Sequence, residues 1–234
     1  MEIDGVQINW LGNAGFQIAL PGVPQSAELG GKNSRIIYID PYQIKEGLEK
    51  ADIILLTHSH YDHCSVEDLA KIIQPGTKIV MTADCQSKIL QFDIPLKYEI
   101  VQPGMELTLG EIKISTFPAY NLDKNFHPKS EEWIGYLVKM KNLLIYHAGD
   151  SDNIPELQRL TGHNQVDKKL VLCLPVGGRF TMTAEEAAEV VKIIKPYLAI
   201  PMHYGSVAGS LEDAQEFKEL CEEQGNKVEI LEKL

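Results

Sequence analysis

Short apolar stretches alternate with capped helical patterns along this chain from Ile8 onward. Segments that are apolar throughout or at alternate positions predict β-strands, because successive side chains of a strand point to opposite faces. Ile53–Leu56 is apolar on both faces, which is typical of a strand covered on both sides. The pattern predicts strands at residues 7–10, 15–19, 35–40, 53–56, 78–82, 98–101, 112–117, 135–140, 143–147, 170–176 and 198–202, and a terminal one at 228–231.

Helix signals stand between several of these strands. Ser65, Thr183 and Ser210 each precede an acidic first turn, which predicts a helix N-terminus, and a helical patch covers residues 85–90. The three capped helices are predicted to end before Pro75, Pro196 and Gly225. Turn signals between the second and third strands are Gly22, Pro24 and Gly30-Gly31. Because no linker or low-complexity tract interrupts the pattern, we predict one α/β domain over residues 1–234.

Composition narrows the class of protein. The 234 residues are 44% hydrophobic and 24% charged, which is typical of a folded globular chain. The formal net charge of −11 argues against a nucleic-acid partner. The acidic N-terminus and the lack of an apolar run of ~18 residues predict a cytoplasmic protein with no membrane partner. Four scattered cysteines indicate neither a disulfide framework nor a zinc knuckle.

The chemistry is concentrated in an H-x-H-x-D-H cluster directly after the strand at 53–56. It comprises His58, His60, Asp62 and His63, and its chance occurrence in a chain of this length is roughly one in a few thousand. Imidazole and carboxylate are ligands that Zn²⁺ and similar divalent ions prefer. One short loop can therefore serve two metal ions.

Further polar residues follow other predicted strands. Asp40, Asp150 and His203 each stand at or just beyond such a strand's carboxyl end. Open α/β sheets place ligand sites at such ends, so we expect these side chains to meet the cluster at one edge. Asp40 is predicted to orient a histidine, and His147 to lie hydrogen-bonded behind the site.

With these motifs the sequence resembles the metallo-β-lactamase superfamily, whose hallmark is the H-x-H-x-D-H loop. The segments that carry the resemblance are Ile37-Tyr38-Ile39-Asp40-Pro41, Ala148-Gly149-Asp150 and Pro201-Met202-His203-Tyr204-Gly205. Within the superfamily, Trp10-Leu11-Gly12-Asn13-Ala14-Gly15 and Pro175-Val176-Gly177-Gly178 are most similar to predicted metal-dependent hydrolases that include the L-ascorbate-6-phosphate lactonase relatives.

The resemblance implies a four-layer αβ/βα sandwich with a dinuclear site at one edge. Site one would take His58, His60 and a third histidine, and Asp150 would bridge the ions. Site two would take Asp62, His63 and His203. The resemblance implies two zinc ions, with manganese or iron as alternatives, and it makes a homo-oligomer reasonable.

The third histidine of site one departs from the family pattern. Its expected position holds Asn121 or Tyr120, and the nearest downstream histidine is His127. Three interpretations are open: His127 folds back to complete the site, Asn121 supplies an oxygen ligand, or site one is empty and the protein is mononuclear.

The leading functional prediction is a metal-dependent hydrolase acting on a small, anionic molecule with a lactone, thioester or phosphodiester bond. Asp62 or Asp150 would orient the nucleophile or take up a proton. Attraction of an anion would be local, from the metals and from Arg179, Lys129 and His127. Trp133 and Tyr204 are further pocket candidates. The alternative is a metal-bearing binding or regulatory module without turnover.

Overall fold

The computed structural model describes residues 1–21 and 34–234. Its strands are β1 (Glu2–Ile3), β2 (Val6–Gly12), β3 (Gly15–Pro21), β4 (Ser34–Ile39), β5 (Ile53–Leu56), β6 (Lys78–Met81), β7 (Lys97–Ile100), β8 (Glu106–Leu109), β9 (Ile112–Pro118), β10 (Ile134–Met140), β11 (Leu143–His147), β12 (Lys169–Pro175) and β13 (Leu198–Met202). Its helices are α1 (Val66–Ile72), α2 (Gln86–Ile89), α3 (Ala184–Ile194) and α4 (Leu211–Glu223). Short 3₁₀ turns span Ala83–Cys85, Lys129–Glu131 and Pro155–Leu160.

The strands form two mixed sheets with the same design. The first sheet has the order β1-β2-β3-β4-β5-β6-β7 and the second β13-β12-β11-β10-β9-β8. Each sheet is antiparallel at one end and parallel at the other, where β4 to β7 and β11 to β13 run side by side. Parallel neighbours bring their carboxyl ends to one edge, so the loops that follow them meet there.

Alternating side chains explain the layers. Ile37, Ile53 and Val80 point from the first sheet into a core shared with the second, while Tyr38 and Ile54 point outward into a core shared with α1 and α2. Beside the second sheet, α3 and α4 add their buried faces to the central core. The predicted α/β sandwich, with two sheets flanked by helices, is therefore confirmed.

Most predicted elements are present within one or two residues, but a few are not. Residues 228–231 form no strand; Val228 makes only an isolated bridge to Ala199. The sequence pattern missed β1 and β8, which are short edge strands with few apolar residues. The turn residues Gly22, Pro24, Gly30 and Gly31 lie outside the described residues. Among the helices of the described ranges, none has the length and apolar character needed to cross a membrane.

Candidate metal centre

Loops from both sheets converge at one edge of the sandwich and carry the predicted site residues. The H-x-H-x-D-H loop follows β5, Asp150 follows β11, and His203 follows β13. The turn that delivers Asp150 depends on Gly149, which has a φ of 62°. A Cβ there would lie 2.6 Å from the carbonyl oxygen of Ile134, so no larger residue fits without a backbone shift.

The site residues form two adjoining clusters. The ligand atoms of each cluster all lie within 4.8 Å of one another, a spacing that suits coordination of one cation. The first cluster comprises His58, His60, His127 and Asp150, and the second comprises Asp62, His63 and His203. All seven side chains predicted from the sequence are therefore brought together. Each of them lies in a loop rather than inside a strand or helix.

Asp150 connects the clusters. Its Oδ2 lies 3.2 Å from Nε2 of His63, 3.2 Å from Nε2 of His127 and 3.3 Å from Nε2 of His203. In the second cluster, Asp62 Oδ2 lies 3.4 Å from His63 Nε2 and 3.5 Å from His203 Nε2. One carboxylate thus reaches imidazoles of both clusters, as a bridging ligand must.

The buried polar atoms fit a bound cation. The Nε2 atoms of His63, His127 and His203 are buried and, apart from the carboxylate contacts at 3.2–3.5 Å, make no hydrogen bond among residues 1–21 and 34–234; Oδ1 of Asp150 makes none either. Buried polar atoms are rarely left unsatisfied, because each such atom costs about 1–3 kcal/mol. Several such nitrogen and oxygen atoms converge here, which is the arrangement of a metal-ligand set. A divalent ion would satisfy them together.

A second ring of contacts orients the histidines. Nδ1 of His63 donates to Asp40 Oδ2 at 2.8 Å, and the Thr57 backbone N–H donates to Asp40 Oδ1 at 2.9 Å. The Thr57 hydroxyl lies 3.0 Å from Nδ1 of His58. The role predicted for Asp40 is confirmed by this contact, which leaves Nε2 of His63 free to face Asp150. Thr57 was missed because its role depends on contacts formed only when β4 and β5 pair.

Replacing Asp40 with asparagine should lower metal affinity about 10–100-fold, which is typical for loss of a carboxylate behind a metal-binding histidine. The uncharged amide no longer favours the Nδ1–H form of His63. Competition with a coloured chelator measures the affinity, and the exposed Asp93→Asn serves as the control. Equal affinities of both variants would show that the Asp40–His63 contact does not tune metal binding.

His127 reaches the first cluster because a loop folds back onto it. Its backbone N–H donates to Asn121 Oδ1 at 2.9 Å, and the Asn121 N–H donates to the His127 carbonyl at 2.8 Å. Nδ1 of His127 lies 3.1 Å from Asn121 Oδ1 and 3.1 Å from the Phe180 carbonyl oxygen. Since both partners are acceptors, Nδ1 carries the proton and Nε2 faces Asp150.

Asn121 itself does not present its amide to the cluster. Its Oδ1 accepts from His127, and its Nδ2 donates to Asp152 Oδ1 at 3.0 Å and to the Phe180 carbonyl at 2.9 Å. These contacts make Asn121 a support for His127. The geometry thus favours the interpretation in which His127 completes site one over the one in which Asn121 is a ligand.

Asn13 supports the second cluster. Its Nδ2 donates to Asp62 Oδ2 at 3.0 Å, and its carbonyl accepts from the His203 N–H at 2.8 Å. The residue lies in the left-handed region with a φ of 49°, which asparagine adopts more readily than most residues. Family resemblance alone points to the segment around Asn13 in the sequence, because no local pattern marks this residue as a support for the site.

The remaining candidates lie around the clusters. Trp133 packs on His58 and His60, with ring centroids 4.7 and 4.8 Å away. Its indole N–H donates to Asp84 Oδ2 at 2.8 Å. As predicted, His147 lies behind the site, with Nε2 2.7 Å from the Ala14 carbonyl oxygen. Tyr204 is buried against Trp10 at 4.8 Å and does not line the cleft above the clusters.

Burial and neighbouring charges shift the pKa values of the histidines in the site. Burial acts to lower the pKa of His63, but Asp150, Asp62 and Asp40 outweigh it and hold this pKa well above its ordinary value. Burial also acts to lower the pKa of His203, but Asp150 and Asp62 outweigh it and raise this pKa to about 9. For His58, burial and the neighbouring His63 lower the pKa well below its usual range. A dication entering the second cluster would therefore displace protons held by the carboxylates' field.

A cleft of about 180 Å³ opens over the clusters. Its floor is formed by His60, Asp62, His127, Asp150 and His203, and its walls by Tyr61, Phe126, Phe180 and Val207. A larger cavity of about 540 Å³ lies at the opposite edge of the sheets and contains none of the clustered residues. The small cleft, where the polar groups converge, is therefore the candidate substrate site.

The fold and site define a protein of the metallo-β-lactamase fold with a buried histidine and aspartate centre. Residues 7–203 match the family described as a beta-lactamase superfamily domain. A UPF0173 metal-dependent hydrolase of Pyrococcus furiosus is 32% identical over 240 residues, which cover 97% of this chain and 96% of that protein. The chain belongs to the UPF0173 metal-dependent hydrolase family of this superfamily, which implies a divalent metal.

Solved structures agree with the fold. Igni18, a metallo hydrolase from Ignicoccus hospitalis, is 25% identical with a TM-score of 0.72, covering 97% of this chain and 95% of that chain. CmlA, a diiron β-hydroxylase from Streptomyces venezuelae, is 13% identical with a TM-score of 0.69, covering 98% of this chain and 53% of that chain. The second likeness shows the fold alone, so the fold by itself does not select a chemistry.

Proposed function

We propose that this chain is a dinuclear metal-dependent hydrolase that cuts a lactone, thioester or phosphodiester bond in a small, anionic substrate. The observation that carries the proposal is Asp150, whose Oδ2 lies 3.2–3.3 Å from imidazole nitrogens of both clusters. His58, His60 and His127 would hold one ion with Asp150. Asp62, His63 and His203 would hold the other with the same carboxylate.

The ligand set suits zinc, with manganese or iron as alternatives, because imidazole and carboxylate accept all three. When bound, two divalent ions supply Lewis-acid activation of the scissile bond and of the attacking water. The chain's own groups perform the remaining tasks. Asp62 is fixed by Asn13, and the field of the site holds its pKa below the ordinary value against burial, chiefly through His63. Asp62 is therefore anionic and can orient an attacking water molecule by accepting a hydrogen bond from it.

Local charge supports binding of an anionic group beside the cleft, next to Phe180. Arg179 is exposed, lies 5.0 Å from the ring of Phe180, and forms no ion pair within the described part of the chain. Lys129, also predicted to attract an anion, instead pairs with Glu156 at 2.9 Å and contacts the Tyr120 hydroxyl. The third predicted group, His127, faces Asp150 in the first cluster, so Arg179 is the one available to a substrate.

The alternative of a binding module without turnover depended on a missing third histidine. His127 now stands in the first cluster, with Nε2 3.2 Å from Asp150. The structural reason for the alternative is thereby removed, and the hydrolase is the function that the geometry supports best.

Metal removal tests the proposal. Protein purified without chelators should contain about two divalent ions per chain and hydrolyse at least one substrate in a screen of lactones, thioesters and phosphodiesters. Chelation should abolish this activity, and zinc, manganese or iron should restore it, because the imidazoles alone cannot activate water. Elemental analysis and initial rates provide the readouts. A metal-replete protein that turns over none of the three classes, or one indifferent to chelation, would contradict the proposal.

A further inference from the structure

The walls of the cleft differ in chemistry from its floor. Above the histidines and aspartates, Tyr61, Phe126, Phe180 and Val207 line the opening. The rings of Phe126 and Phe180 meet edge to face, with centroids 4.7 Å apart, and form one aromatic wall. Phe126 is 48% exposed although it is a large apolar side chain. An exposed aromatic side chain at the mouth of a reactive site is a candidate contact surface for substrate.

The aromatic wall is tied to the clusters by the backbone. Phe126 directly precedes His127 in the chain, and the Phe180 carbonyl lies 3.1 Å from His127 Nδ1. Asn121 Nδ2 also donates to this carbonyl, at 2.9 Å. The same hydrogen bonds that orient His127 therefore hold the Phe180 backbone close to the floor, and chain continuity places Phe126 beside it. A group packed on the rings would be positioned relative to the bond above the clusters.

Two lysines near the wall in sequence, Lys124 and Lys129, are already paired with carboxylates. Lys124 pairs with Asp123 and Asp152, each at 3.1 Å. Lys129 pairs with Glu156. A phosphodiester has charged oxygens that need several donors close to the reacting phosphorus. The wall offers one donor, the Tyr61 hydroxyl, and is otherwise formed by Phe126, Phe180 and Val207. Charge recognition is thus left to the floor and to Arg179 beyond Phe180, and the space between them is apolar.

Resting on the proposed hydrolase function, we propose that the substrate is an acyl compound, a lactone or thioester, whose acyl part carries an aromatic or branched aliphatic group. This group packs against Phe126, Phe180 and Val207 while the acyl carbonyl faces the clusters. The whole cleft, polar floor included, measures about 180 Å³, which admits a group as large as one ring, because a cavity of ~150 Å³ accommodates benzene.

Binding of two hydroxamates tests the apolar wall without turnover. Phenylacetohydroxamate and acetohydroxamate carry the same metal-binding head and differ only in the ring. Calorimetry on the zinc-loaded protein should show phenylacetohydroxamate binding at least about tenfold more tightly, since apolar pocket contacts commonly give 10–200-fold discrimination. Phe126→Ser should remove most of this preference with its zinc content unchanged. Leu122→Ser is the matched control, because Leu122 is 59% exposed and near in sequence but does not line the cleft.

Turnover provides the second arm of the experiment. The zinc-loaded protein should hydrolyse a phenylacetyl thioester with a kcat/KM at least about tenfold above that of the acetyl thioester, and should favour both over bis(p-nitrophenyl) phosphate. Equal binding of the two hydroxamates, a preference that survives Phe126→Ser, or faster hydrolysis of the phosphodiester would overturn the substrate proposal. Aromatic preference in binding without hydrolysis of either thioester or of matched lactones would instead contradict the hydrolase and leave the apolar subsite standing.

Discussion

Replacing Asp150 with asparagine is expected to lower kcat/KM by more than about 100-fold and to reduce the metal content below two ions per chain. Loss of a group behind a metal ligand already costs about 10–100-fold, and Asp150 lies among the imidazoles themselves. Its Oδ2 lies within 3.3 Å of nitrogens from both clusters. Asparagine keeps the shape but removes the negative charge that would hold two cations close together.

The Asp150→Asn experiment needs a control for the charge change alone. Asp123→Asn removes a carboxylate that is 74% exposed and pairs with Lys124 outside both clusters, so it should leave metal content and activity unchanged. Circular dichroism of both variants checks that the fold persists. If Asp150→Asn retains two ions and normal kcat/KM, Asp150 does not bridge the clusters and the two-metal arrangement is wrong.

Replacing His127 with alanine is expected to reduce the metal content from two ions to one. Without this imidazole the first cluster retains His58, His60 and Asp150. The change also removes the two hydrogen-bond contacts of Nδ1 with Asn121 and the Phe180 carbonyl, while the backbone contacts with Asn121 can remain. Hydrolysis should fall together with the lost ion, because the site would no longer position both reaction partners. Elemental analysis of the unchelated proteins measures the change directly.

His163→Ala provides the matched control for His127. His163 lies after the Pro155–Leu160 turn, outside both clusters, so its removal should leave two ions in place. Two ions in His127→Ala would show that His127 is not a ligand. One ion in both the native chain and His127→Ala would support the mononuclear interpretation instead.

The fold was largely predictable from local patterns. β5 and β12 are apolar on both faces because each is covered by a sheet on one side and helices on the other. The capping box at Thr183 marked the start of α3, where both reciprocal hydrogen bonds are present. The edge strands β1 and β8 escaped prediction because an edge strand is stabilised by its neighbour more than by burial of its own side chains.

The first cluster separates what the sequence determined from what the tertiary structure decided. The H-x-H-x-D-H motif placed His58 and His60 at the end of β5, because strand periodicity and residue chemistry are local properties. The sequence alone left three interpretations open for the third position: His127, Asn121 or an empty site. His127 reaches the cluster because its Nδ1 meets the Phe180 carbonyl, 53 residues away in the chain. Such a hydrogen bond cannot be read from the hydrophobic periodicity of the sequence, since loop conformation is set by packing between distant segments.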